Sequence, residues 1–158
     1  MFHFSLEEVL EYRLTLQDER QREYTAAQSR LNDAEQFREA LRHARVDAAM
    51  DLSLCAEHGI PPHEYLLRQR HLDGLALQIR DQDERVVQLR RIAEIRRQHL
   101  VEALREVETL EALKKEELKA YEYDERRQEM KEMNDFAVFQ FSRREREKNA
   151  VEEKVTQS

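Results

Sequence analysis

Apolar residues recur every three and four positions along the second half of the chain. The main column has one residue every seven positions and consists of Tyr65, Leu72, Ile79, Val86, Ala93, Leu100, Val107, Lys114 and Tyr121. A companion column lies three residues further on and consists of Leu75, Gln82, Leu89, Arg96, Ala103, Leu110 and Glu117. This repeat predicts a long helix whose apolar seam packs along a second helix.

The first half of the chain supplies a matching pattern. Its clearest column, again spaced by seven, consists of Ala27, Ala34, Leu41 and Ala48. The only break is the stretch 58–62, where Gly59 can end one helix and Pro61 and Pro62 can begin the next. Because this connection is short, the two helices are predicted to run antiparallel.

The predicted boundaries are a first helix over 5–57, a turn over 58–62 and a second helix over 63–144. Ser5 and Glu8 have the spacing of a capping box at the start of the first helix. The charged tail 145–158 is expected to be frayed or disordered. Residues 1–144 are therefore predicted to form one domain.

The register of the hairpin follows from the position of the turn. If the chain reverses near residue 60, the numbers of facing residues add up to about 120. Two layers place Arg20 and Arg13 on the seam, where their aliphatic stems can cover apolar neighbours. The predicted pairs are Ala48 with Leu72, Leu41 with Ile79, Ala34 with Val86, Ala27 with Ala93, Leu31 with Leu89, Leu10 with Leu110, Arg20 with Leu100 and Arg13 with Val107.

The fold class is therefore all-α: two long helices in an antiparallel coiled-coil hairpin with a C-terminal helical overhang. In this register the N-terminal end of the first helix lies opposite residue 114 of the second helix. Residues 115–144 are therefore expected to continue as a helix without a partner. The overhang carries apolar residues that a lone helix would expose to water, and a partner protein could cover them. The alternatives are that they fold back on Phe2, Phe4 and Leu6, or that they dimerise. These residues are Met130, Met133, Phe136, Ala137, Phe139 and Phe141.

Composition narrows the function. Charged residues make up 39% of the chain, and it has only two Gly, two Pro and no Trp. This composition is not typical of a globular enzyme with catalytic loops, and we expect no catalytic residue and no cofactor. The formal net charge of -7 argues against nucleic-acid binding. His58 and His63, beside the turn, lack the spacing of a metal site.

No apolar stretch has the length of a transmembrane helix or the form of a secretory signal. Cys55 is the only cysteine and can form no disulfide within the chain. We therefore expect a soluble, cytoplasmic protein that does not insert into the membrane.

Three segments resemble the FliJ family of the bacterial flagellar type III export apparatus. The first begins Phe2-x-Phe4-x-Leu6 and continues through Val9-Leu10 to Arg13. The second is the Gly59-Ile60 turn. The third runs from Arg126-Arg127-Gln128-Glu129 to Met133-Asn134-Asp135-Phe136-Ala137. Their order and spacing cover nearly the whole chain.

The resemblance implies a non-enzymatic stalk similar to the central stalk of rotary ATPases. It implies that the end bearing both termini binds the hexameric export ATPase FliI, which FliH regulates. The turn end would reach the membrane export gate FlhA, and export chaperones are further possible partners. The implied location is the cytoplasmic side of the inner membrane, at the flagellar basal body.

The resemblance also implies two sets of contact residues. The residues expected at the ATPase are Phe2, Phe4, Met133, Asp135, Phe136 and Ala137. The residues expected at the export gate are Leu41, Ala44, Ala48, His71, Leu75, Gln78 and Gln82. Leu41, Ala48 and Leu75 could equally belong to the seam.

Other functions fit the same pattern. An export chaperone or escort protein could use exposed Met and Phe side chains to hold substrates. The equivalent stalk protein of a virulence injectisome has a similar architecture. A homodimeric scaffold, in which the second helix pairs with its copy, is a further alternative.

Overall fold

A computed structural model describes residues 1–157 and contains two long helices. Helix α1 spans Glu7–His58, and helix α2 spans Pro62–Thr156. They pack against each other as an antiparallel hairpin, which confirms the predicted fold class. The helix and turn boundaries agree with the prediction to within two residues, except at the end of α2.

The turn between the helices is short because its residues favour the end of one helix and the start of the next within a few positions. Gly59 has a φ of 84°, a left-handed conformation that a side chain would disfavour, and its N–H donates to the Ala56 carbonyl. Pro62 is the first residue of α2, where a missing N–H costs no hydrogen bond. The Pro61 carbonyl accepts the first hydrogen bonds of α2, from the N–H groups of Glu64 and Tyr65.

The contacts group the chain into two units, one formed by residues 11–108 and the other by residues 1–10 with 109–157. Within the first unit, Val86 has an exposed fraction of 0%. It belongs to one cluster with small and large apolar residues of both helices, as the predicted layers require. The cluster consists of Ala27, Leu31, Ala34, Val86 and Ala93, with Leu89 packed against it.

Ion pairs across the seam fix the same register. Arg38 Nη1 lies 3.5 Å from Asp83 Oδ1, and Arg96 Nη1 lies 3.2 Å from Glu23 Oε2. The residue numbers in each pair add up to about 120, as the position of the turn predicts. The facing-residue register is therefore confirmed in this unit.

Two sequence predictions about the ends of the helices are wrong. Ser5 does not form the capping box with Glu8, because the Ser5 N–H that the box would pair with Glu8 donates to Glu117 Oε2 of α2 at 3.4 Å, and the Ser5 hydroxyl donates to Glu117 Oε1 at 2.9 Å. The lone part of α2 does not begin at residue 115. Residues 1–6 precede α1 but continue the packing, so that Tyr121 is still half-buried.

Helix α2 continues twelve residues beyond the predicted boundary at 144, to Thr156. The added segment contains no Gly or Pro, and Arg143 pairs with Glu147 one turn later, at 3.0 Å. The expected fraying or disorder of residues 145–157 stays a prediction, and Ser158 lies outside the described residues. The assignment of residues 1–144 to a single domain also stays a prediction.

Candidate functional site

The N-terminal residues are anchored on α2 by two aromatic side chains. The Phe2 and Tyr121 rings have centroids 5.7 Å apart, and Phe4 has an exposed fraction of only 2%. Lys114 Nζ lies 5.9 Å from the centroid of the Phe4 ring, within the range of a cation–π interaction. Phe4 is therefore a buried anchor, and its side chain is not presented to a partner.

Polar contacts complete this N-terminal anchor. Glu117 accepts hydrogen bonds from both the hydroxyl and the N–H of Ser5, and Lys114 Nζ lies 2.7 Å from Glu7 Oε2. The Tyr121 hydroxyl donates to Glu125, and this hydrogen bond raises the pKa of the tyrosine. The polar end of the seam column thus has a structural role that the sequence analysis missed. The change from apolar residues to Lys114 and Glu117 was the available signal.

The C-terminal part of α2 exposes a group of large apolar side chains, which we name the C-terminal apolar surface. Met133 is 71% exposed and Phe136 is 64% exposed. Asp135 lies beside them and is exposed. The full set is Met130, Met133, Phe136, Ala137, Val138, Phe139 and Phe141.

No described residue covers this surface. The alternative in which it folds back on Phe2 and Phe4 is wrong, because those residues pack near Tyr121 instead. Every residue over 122–157 is exposed except Ser142, which is half-buried. The surface is therefore available for contact with another molecule.

The C-terminal apolar surface continues the seam only in part. The seam column of α2 reaches Lys114 and Tyr121, whereas Met130 and Ala137 follow a column displaced by two residues. Two residues turn the side-chain direction by about 200° around a helix. Met130 and Ala137 thus face nearly opposite to the side of α2 that packs against residues 1–10. Val138 continues the companion column, and Phe139, five full turns after Tyr121, points nearly the same way as Tyr121, so the apolar side chains lie around much of the helix.

The residues expected at the export gate divide into exposed and seam positions. Ala44, His71 and Gln78 are exposed. The other four lie in the seam: Leu41 and Leu75 are buried, Ala48 and Gln82 are half-buried, and Gln82 Nε2 donates to the Ala34 carbonyl at 3.1 Å.

A family model described as Flagellar FliJ protein matches residues 2–146. This match covers nearly the whole chain. The chain belongs to the FliJ family. It is therefore a non-enzymatic stalk protein of the flagellar export apparatus. The flagellar family matches, so the injectisome alternative is set aside.

Neither curated proteins nor solved structures give a significant match to this chain.

Many charged side chains on the described surface form ion pairs with each other. Over residues 1–157, no group of three or more His, Cys, Asp or Glu residues is arranged to hold a metal ion. A hydrogen bond from Arg20 lowers the pKa of Glu23, and one from Arg97 lowers the pKa of Glu94. The Arg20–Glu23 pair is half-buried and the Glu94–Arg97 pair is exposed, and each joins residues three positions apart on one helix, where such pairs stabilise the helix.

None of the helices described over 1–157 has the length and apolar character needed to cross a membrane.

Proposed function

We propose that the C-terminal apolar surface binds the hexameric export ATPase FliI and that this contact stimulates ATP hydrolysis. The observation that supports the proposal is the exposure of Met133 and Phe136 on a part of α2 that no described residue covers. Large apolar side chains in such a position gain stability only when a partner covers them. Asp135 and Ala137 lie within the same contact.

Phe2 and Phe4 have a different part in this proposal. Phe4 is buried and Phe2 packs on Tyr121, so both hold residues 1–6 against α2. They support the segment that leads into the C-terminal apolar surface. Phe4 makes no direct contact with the ATPase.

The mechanism is allosteric. One asymmetric helix contacting a ring of equivalent subunits binds some subunit conformations more tightly than others. Such differential binding shifts the conformational populations of the ring and can promote assembly or hydrolysis. The stalk itself contributes no catalytic group. FliH, as the regulator of FliI, acts on the ATPase side of this contact.

The test uses a double variant, Met133→Ala with Phe136→Ala, and purified FliI. We expect the affinity for the ATPase to fall by about tenfold or more, because aromatic and large apolar anchors dominate protein interfaces. The matched control is Met50→Ala with Leu54→Ala, which removes similarly exposed side chains of α1. Equal stimulation by the double variant and the wild type would disprove the contact.

The proposed contact with the export gate FlhA uses the exposed residues Ala44, His71 and Gln78. The buried Leu41 and Leu75 hold the helices that present them, as do the half-buried Ala48 and Gln82. A stalk bound to both partners would be cytoplasmic and peripherally associated with the inner membrane at the flagellar basal body. His71→Glu with Gln78→Glu should weaken binding to FlhA and leave the stimulation of FliI unchanged.

A role in handling export chaperones or substrates is the second candidate. The exposed Met and Phe side chains of the C-terminal apolar surface favour it, since flexible Met-rich surfaces accept varied partners. Pull-down of a substrate or chaperone by the chain alone, without FliI and FlhA, would support this function.

A further inference from the structure

The two edges of the seam in residues 11–108 differ in charge pairing. On one edge, Arg42 Nη2 lies 3.2 Å from Asp83 Oδ1, and Arg90 Nη2 lies 3.0 Å from Glu35 Oε1. All four of these residues immediately follow a seam position. Ion pairs between the two helices therefore occupy this edge.

The other edge carries a groove with unpaired cations. Arg30 of α1 and Arg85 of α2 line it from opposite helices, and each immediately precedes a seam position. Neither arginine forms an ion pair or a hydrogen bond with any residue over 1–157. Asp33 also lines the groove and its carboxylate offsets one of the two positive charges, so the groove keeps an excess of positive charge that an anion would balance.

An exposed aromatic side chain completes the groove. Phe37 is 56% exposed and lines the same groove one turn from Asp33 and Ala34. The floor is fixed, because Gln82 Nε2 donates to the Ala34 carbonyl across the seam. The groove therefore combines an apolar contact with two cations on a rigid base.

We propose that this groove, the Arg30–Arg85 groove, binds an acidic segment of a partner protein that carries an apolar side chain. Arg30 and Arg85 pair with carboxylates of the segment, and Phe37 packs on its apolar side chain. Arginine suits this role because its planar guanidinium binds a carboxylate with two hydrogen bonds. The Arg30–Arg85 groove is separate from the proposed ATPase contact. It shares one residue, Gln82, with the proposed gate contact.

A protein segment fits the groove better than a nucleic acid does. The chain has a formal net charge of -7, and Asp33 places a carboxylate inside the groove itself. A continuous phosphate backbone would be repelled by both, whereas a short segment can place its carboxylates on the arginines alone.

The test measures fluorescence anisotropy with a labelled peptide that has a central Leu-Phe pair, one glutamate on each side of it and otherwise uncharged polar residues. We expect saturable binding to the full chain. Arg30→Glu with Arg85→Glu should weaken it by about tenfold or more, and Phe37→Ala by about fivefold. Replacing the peptide's glutamates with glutamine, or its Leu-Phe pair with Ala-Ala, should weaken binding similarly.

The matched control is Arg22→Glu with Arg91→Glu, which changes the net charge equally at exposed positions outside the groove. It should change the affinity by less than about twofold at physiological salt, where charges beyond about 8 Å are screened. Circular dichroism should show the same helix content in all variants.

Three results would overturn the proposal. The first is no saturable binding of the peptide to the wild type. The second is an equal loss of affinity in the control variant, which would indicate a general charge effect. The third is tighter binding of a single-stranded oligonucleotide than of the peptide at the same salt concentration. The assay contains neither FliI nor FlhA, so its failure would leave the proposed function untouched.

Discussion

Residues 11–108 and residues 122–157 are both rich in charge and both contain regularly spaced apolar side chains, but they use them differently. In the first region, the apolar residues at most seam positions are buried or half-buried, and arginines pair with carboxylates across the seam. In the second region, not one apolar side chain is buried. The difference lies in whether another helix is present on the apolar side, and it separates the residues that hold the fold from those that can bind a partner.

A charged residue placed in each region should sharpen this difference most. Val86→Asp puts a carboxylate at a fully buried position, where it finds no partner, and should destabilise the hairpin by about 3 kcal/mol or more. Val138→Asp, at a position 64% exposed, should change stability by less than about 0.5 kcal/mol. Urea unfolding followed by circular dichroism measures both. Similar losses in the two variants would show that residues 122–157 also pack in a core.

The N-terminal anchor should respond more locally. Phe4→Ala removes the buried ring that holds residues 1–6 on α2, and the first turn of α1 should open more often. Hydrogen exchange at the amides of Glu7 and Leu10, which donate to the Phe4 and Leu6 carbonyls, should become about tenfold faster or more, which corresponds to about 1.4 kcal/mol. Leu6→Ala, at a more exposed position, should have a smaller effect. Unchanged exchange in the Phe4 variant would contradict the anchor.

The smallest expected effect is that of pH on an ion pair across the seam. The hydrogen bond from Arg20, together with the charge of Arg96, lowers the pKa of Glu23. Because the unfolded state then binds the proton more readily, this stabilisation is present above the ordinary carboxyl pKa and is lost as pH falls through the lowered value. The melting temperature of Glu23→Gln should therefore lie slightly below that of the wild type at pH 6 and approach it near pH 3. An equal difference at both pH values would rule out this role for the carboxylate.

The sequence was sufficient to predict the helices, the turn and the register, because each depends on local or periodic signals. Gly59 and the two prolines mark the turn. The facing of Ala34 and Val86 follows because the numbers of facing residues add up to twice the position of the turn. The contact of Ser5 with Glu117 could not be predicted in this way, since a capping box is an equally good local solution for Ser5.

The candidate site was predictable only in part. The resemblance pointed to Phe136 and Phe4 alike, but only the packing shows that Phe136 is exposed and Phe4 is buried. Gln82 was expected at a partner, which stays a prediction, and only the packing shows that its side chain bonds to the backbone of α1. A sequence column identifies which residues share a helix face, but the exposure of that face depends on what the rest of the chain covers.

The most direct test of the account is a chain that ends at Tyr121, compared with the full chain. This truncation keeps the seam and the residues that anchor Phe2 and Phe4, and it removes the whole C-terminal apolar surface. We predict that the truncated chain remains helical, with a nearly unchanged melting temperature, and no longer stimulates purified FliI. Stimulation equal to that of the full chain would contradict the claim that the exposed end of α2 is the site of ATPase contact.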